Sequence, residues 1–234
     1  MYTRATFSRN SRGLRCVPLL PCPYADPVQF YEDLEVNNAT VDKRFVVDTK
    51  NLPPLFPTHR HSAMFWENLG RTIATFGFLE EVLGKAIFVF SGTTRYPQSE
   101  IEAAFEKWLP TLERALIDPL GGLVDAYGKA ARNNSEATIT NLEDLLSELR
   151  KASVIRNVLC HGSWQTPDAN GKSLPRFVNR QKMVWDTLID NAYLQQTQRA
   201  VAELACAVVT TVTHMGWQFP SSRGPGKTVF EKLT

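Results

Sequence analysis

The chain has 234 residues, 43% of them hydrophobic, enough for one sizeable core and too few for two full domains to be expected. A net charge of +2 permits a polyanionic partner without demanding one. No apolar run approaches the roughly 18 residues of a membrane span, so no membrane partner is expected. Four scattered cysteines, with neither a C-x-x-C pair nor a hydrophobic leader, make a reducing cytoplasm the expected setting.

Residues 1–61 differ in character from the rest. Pro18, Pro21, Pro23, Pro27, Pro53, Pro54 and Pro57 exclude long helices. Arg4, Arg9, Arg12 and Arg15 precede any acid, and a basic arm is a simpler account of them than a targeting segment. A helical turn near Val28–Leu34 and a short strand at Arg44–Asp48 are expected within an extended arm packed on the main body.

From Ser62 the pattern turns helical. Ser62 is a good N-cap, and Phe65, Leu69, Ile73, Phe76, Leu83 and Ile87 recur at helical spacing up to a stop at Ser91-Gly92. A second helix is expected from near Ser99 through Phe105 and Trp108, kinked at Pro110 and broken by Pro119-Leu120-Gly121-Gly122. A short helix at Leu123–Ala131 follows. A third long helix starts near Thr140 or Asn141 and ends at His161, with Gly162 as its stop. Residues 163–175 read as a loop, Arg176–Asn179 and Lys182–Trp185 as a short hairpin, and Thr187–Met215 as a fourth long helix. The chain after Pro220 reads as a loose tail. The expected fold is mainly α, a four-helix up-down bundle with a small β-hairpin. It divides into a proline-rich arm (1–61), a helical domain (62–219) and a flexible tail (220–234).

The third long helix carries an anomaly. Leu142 and Leu149 are seven residues apart and so lie on nearly one line of the helix, and the next member of that line is Arg156. A guanidinium on a buried stripe needs a counter-charge, an anionic ligand or a solvated cleft. Glu80 falls between Phe76 and Leu83 on the apolar stripe of the first helix and is the natural counter-charge. Five residues after Arg156 comes His161, a proton-transfer group at a helix C-terminus, where the dipole favours a cation. Asn157 shares a helical face with His161. A fixed cation, an amide and an imidazole suit phosphodiester chemistry, and RNA brings its own nucleophile in the 2′-hydroxyl.

Arg156-Asn157-x-x-x-His161, followed by Gly162 late in a long helix, resembles the Arg–polar–spacer–His signature of the HEPN superfamily. The resemblance covers roughly residues 62–219. It implies a HEPN-like helical bundle and a metal-independent endoribonuclease, with no cofactor, that leaves a 2′,3′-cyclic phosphate. It further implies Arg156 and His161 as catalytic, Asn157 as supporting, and a homodimer that brings two motifs to one cleft. Glu80 joins the site by position only, since a first-helix acid lies outside the motif. Toxin–antitoxin or phage-defence systems are the settings implied, with an antitoxin or other regulatory protein as a further partner. Some members only bind nucleotides or partner proteins, so a non-catalytic helical module is the alternative.

Other signals carry less. Trp164 either walls the cleft, stacking on a base, or simply packs. Lys172, Arg176, Arg180 and Lys182 gather around the hairpin and are expected to track an RNA backbone, or else to form an ordinary solvated surface. Cys160 is expected to be a buried thiol, because adjacent helical residues cannot form a Cys–His nucleophile pair. His59 and His61 are expected to be solvated loop histidines without a metal, there being no acid or cysteine nearby to complete a site. The tail SSRGPGKT has Ser221 where a phosphate-binding loop needs its first glycine, and is set aside.

Overall fold

The computed structural model describes residues 46–115 and 117–229, which fall into two units divided at Asn51–Leu52. In the first unit, Thr49–Asn51 form a single 3-10 turn. The Asp48 carboxylate caps it, accepting from the Lys50 amide at 3.0 Å and from Asn51 Nδ2 at 2.7 Å. Of the strand expected at Arg44–Asp48, residues 46–48 are irregular, because Asp48 turns the chain instead of extending it. Its first two residues lie outside the described residues, as do the turn at Val28–Leu34 and the basic stretch Arg4–Arg15.

The second unit is mainly helical: α1 (Ala63–Gly92), α2 (Ile101–Ala115), α3 (Leu120–Asn133), α4 (Leu142–His161) and α5 (Asn191–Thr213). Ser62 caps α1 as expected, its hydroxyl accepting from the Phe65 amide at 3.2 Å. The first half of α1 buries one stripe, Phe65, Leu69 and Phe76. From Leu79 to Phe90 almost every apolar side chain is buried, so this half is the central helix of the unit. Asn68 donates to Asn191 at 3.0 Å and Thr72 to the Leu194 carbonyl at 3.2 Å, fixing the start of α5 beside the start of α1. At the other end Phe90 packs on Tyr127, whose hydroxyl meets Thr211 at 3.0 Å. α1 and α5 therefore run in the same direction. α3 and α4 are antiparallel, tied by Arg132–Glu143 and Arg150–Asp125 ion pairs at their two ends. These pairs are exposed and add little stability; the helices are held by buried contacts such as Leu146 under Gly128. A Cβ at Gly128 would lie 2.8 Å from Leu146 Cδ1, so glycine sets how closely α3 and α4 approach.

Four expectations are corrected. α3 starts three residues early, because Pro119 acts as its N-cap and Leu120-Gly121-Gly122 form its first turn instead of a break. As expected, α2 runs past Pro110, since the proline and the carbonyl it leaves unpaired on Glu106 lie on an exposed side. The named sheet is Ser163–Trp164 (β1) paired antiparallel with Pro175–Arg176 (β2), inside what reads as a loop. The expected hairpin at 176–185 is reduced to a bridge between Val178 and Val184. There the Asn179 side chain accepts from the Met183 amide at 2.8 Å and competes with the ladder. Finally, the segment after Pro220 returns to the body as far as it is described: the Lys227 amide donates to the Gly216 carbonyl at 2.8 Å, and Val229 packs on the core. Among the described residues no helix is long and apolar enough to cross a membrane.

Candidate functional site around the end of helix α4

Leu145, Leu149, Ala152 and Leu159 form the buried line of α4, and Arg156 continues it, half-buried. Glu80 of α1 is its neighbour. Arg156 Nη2 lies 3.4 Å from Glu80 Oε1, with about a quarter of each side chain exposed (25% and 27%). This is charge contact without hydrogen-bond alignment: Glu80 Oε1 is buried and has no hydrogen-bond partner. The guanidinium makes one long hydrogen bond, from Nη1 to Asn157 Oδ1 at 3.4 Å. Among the described residues, most of its five N–H donors are unspent.

Glu80 also borders a cleft of about 390 Å³ between α1, α2 and the Pro220–Ser221 turn. Glu81 and Asp118 line it as well, against a single lysine, Lys85. Glu81 is paired there with Lys85 at 2.5 Å, and Glu80 with Arg156 at 3.4 Å.

His161 stands elsewhere on the helix. Five residues advance an ideal helix by about 500°, so His161 points about 140° away from Arg156. It is exposed, and its ring meets no partner among the described residues. Asn157 and Cys160 are exposed too. Cys160 is thus not the buried thiol expected, because the last turn of α4 presents that side to solvent.

Gly162 ends the helix, its amide donating to the Val158 carbonyl at 2.8 Å, with φ −71° and ψ 135°. Gly162 is thus the stop expected, in ordinary extended backbone and without a left-handed turn. Glycine is required for space: a Cβ there would sit 2.6 Å from Val158 O and 2.8 Å from Pro175 Cβ. The tight passage lets the chain leave α4 directly into β1, so that β2 returns alongside the helix end.

Trp164 is half-buried and packs edge-on against Phe65, with ring centroids 4.9 Å apart, and against His61 at 6.1 Å. His61 in turn stacks on Phe65 at 4.4 Å and meets Trp66 at 5.2 Å. His61 is therefore not a solvated histidine. Burial pushes its imidazole below the usual range, and its Nε2 has no hydrogen-bond partner. His59 is half-buried as well, stacked on Phe56 with Nδ1 unpartnered. The sequence holds the signal for this cluster, five aromatic rings within eleven residues from Phe56 to Trp66 when the imidazoles of His59 and His61 are counted, but not its link to Trp164 across the fold.

Lys172, Arg176, Arg180 and Lys182 are exposed, and none forms an ion pair among the described residues. Arg176 stands opposite Ser163 in the β1–β2 register, while Arg180 and Lys182 lie in the Asn179–Lys182 turn, closed by the Lys182 amide on the Asn179 carbonyl at 3.0 Å. The structure thus joins Arg156 with Glu80 and Asn157, and sets His161 near the basic segment. It does not join Arg156 with His161 inside one chain.

Fold and site together define a mainly helical protein with an Arg–Asn–spacer–His segment closing helix α4. Comparison with protein-family models, with curated proteins and with solved structures finds no match.

Proposed function

We propose that the chain is a HEPN-like, metal-independent endoribonuclease that acts as a homodimer. The helical unit is then a HEPN-like bundle in which α1, α3, α4 and α5 supply the four core helices, with α5 parallel to α1 and so not in simple up-down order. α2 buries no residue fully among those described and serves as the link between α1 and α3. The observation that carries the reading is Arg156: a cation on the buried line of α4, steadied by Glu80 yet with most of its donors unspent among the described residues, on the helix that ends in His161, which has no partner among those residues. A purely structural ion pair would be expected to close its hydrogen bonds.

In the reaction, His161 accepts the 2′-hydroxyl proton as the 2′ oxygen bonds to phosphorus. The bond from phosphorus to the 5′ oxygen breaks, and that oxygen takes a proton from water or from the imidazole of the second copy. Arg156 stabilises the charge on the phosphorane, and Asn157 orients it. Because Arg156 and His161 diverge around α4, the Arg156 that serves a given His161 comes from the second copy. Trp164, held by Phe65 and His61, supports the strand that leaves the site.

The test is cleavage of tRNA, rRNA and mRNA in EDTA by wild type, Arg156→Ala and His161→Ala. Wild type is expected to leave 2′,3′-cyclic phosphate ends and both variants to lose at least a hundredfold in rate. Three equally inert proteins would move the assignment to the alternative, a non-catalytic helical module that binds a partner protein or nucleotide. One feature favours that alternative: α2 exposes Ile101, Phe105 and Leu109 together, at spacings that share one helical face.

A further inference from the structure

We propose that Arg176, on β2, holds a phosphate against His161 of the same chain. The inference deepens the ribonuclease reading and rests on it for its biological sense, but its geometry is independent of Arg156.

The argument begins with register. Ser163 and Arg176 are paired across the two-stranded sheet, and antiparallel partners lie about 5 Å apart at Cα. Two residues of chain separate Ser163 from His161 and span at most about 7 Å. The Cα atoms of Arg176 and His161 are therefore no more than about 12 Å apart, a gap that a phosphate fills when both side chains reach toward it. Alternation along the strands supplies the direction. Trp164 and Pro175 point inward, half-buried and buried, so Ser163 and Arg176 share the outer face. His161, two positions before Ser163, is exposed as well.

Charge separates Arg176 from Arg156 as the partner of this imidazole. Arg156 points toward Glu80, whose carboxylate already offsets its charge. Arg176 has no acid paired with it among the described residues, and the same segment continues to Arg180 and Lys182. An RNA backbone lying along 176–182 meets three cations, and the first of them is beside the proton-transfer group. The fit between Gly162 and Pro175 makes the placement rigid: β2 is packed directly on the helix end, so Arg176 cannot drift from His161 without opening that contact.

The experiment is a titration of the full chain with inorganic phosphate, followed by the NMR resonance of the His161 ring. The resonance is identified by its loss in His161→Gln. A saturable shift is expected in wild type and in Arg156→Ala. In Arg176→Ala the apparent affinity should fall at least tenfold, and Arg176→Lys should recover part of it. A shift that survives Arg176→Ala, or one that vanishes in Arg156→Ala instead, overturns the inference, as does a wild type whose His161 does not respond to phosphate. Unchanged amide spectra away from 161–178 exclude misfolding of the variant. Cleavage of a single-stranded RNA is measured in parallel. Phosphate binding through Arg176 without cleavage would leave this site standing and remove the ribonuclease reading. Cleavage with an unresponsive His161 would do the reverse.

Discussion

The Glu80–Arg156 pair can be removed one charge at a time, and its size follows from the geometry. At 3.4 Å and an effective dielectric constant of about 20, two unit charges attract by about 5 kcal/mol. Desolvation returns most of this, and the remaining exposure of about a quarter on each side chain screens the rest (25% and 27%). The coupling should fall between that of surface pairs, up to about 1 kcal/mol, and the several kcal/mol lost when a fully buried pair is broken; we expect about 1.5 kcal/mol. Glu80→Gln should cost about 2 kcal/mol, because it strands a half-buried guanidinium, and Arg156→Gln about as much. The double variant should cost less than their sum by the coupling. Urea unfolding of the four proteins measures it, provided the slopes agree. The exchanged variant, Glu80→Arg with Arg156→Glu, should regain much of the stability while losing RNA cleavage, since it returns the pair but takes the cation from α4. A coupling under about 0.3 kcal/mol would refute the account of the pair. An exchanged variant that cleaves RNA would refute the role of Arg156.

Two further outcomes follow from other parts of the fold. Folding stability should decline at both ends of the pH range. Burial depresses the His61 imidazole, so the folded state takes up fewer protons there than the unfolded chain; stability is complete above about pH 6.5 and is lost as pH falls from there through the lowered folded value, and His61→Phe should flatten that acid limb in thermal melts. Burial raises the Tyr127 phenol to about 12, so its contribution is complete below about pH 10 and is lost on rising toward 12, a loss of about 2 to 3 kcal/mol that Tyr127→Phe should abolish. Gly162→Ala should destabilise by about 1 to 3 kcal/mol through its clash with Val158 O and Pro175 Cβ. Its amide exchange should quicken first at Gln165, which donates to Leu174 beside the strand pair, and an unchanged melting temperature would refute the close-approach argument.

The helices were legible because their signals are local. Ser62 and Asp190 cap α1 and α5 through hydrogen bonds to the Phe65 and Tyr193 amides that each can make within its own turn, although Asp190 stands three residues later than the expected start of α5. The pairing of Arg156 with Glu80 was legible for a related reason: each is a charge on an apolar stripe, and two such faults in one core find each other. The strands were misplaced because two residues per strand carry no periodicity. Their pairing is decided by Pro175 settling on Gly162, a contact between residues that are far apart in the hydrophobic pattern. The aromatic environment of His61 was hidden for the same reason, since Trp164 reaches it from the far side of the fold.

This difference bears on what a short motif can establish. An Arg and a His five residues apart on a helix look like one site when written as a string, yet helical geometry turns them about 140° apart. The string therefore leaves open which cation serves the imidazole. A second copy can bring its own Arg156 across, or a strand can bring a cation from within the chain. The β1–β2 register puts Arg176 opposite Ser163, as the second solution needs, whereas the Glu80 carboxylate beside Arg156 offsets the charge that would draw a phosphate to it within its own subunit. The two solutions are compatible: a phosphate held by Arg176 on one edge of His161 leaves the other edge for Arg156 of a second copy. On that arrangement, losing Arg176 should weaken phosphate binding even in a monomer, whereas losing Arg156 should matter only once two chains have met.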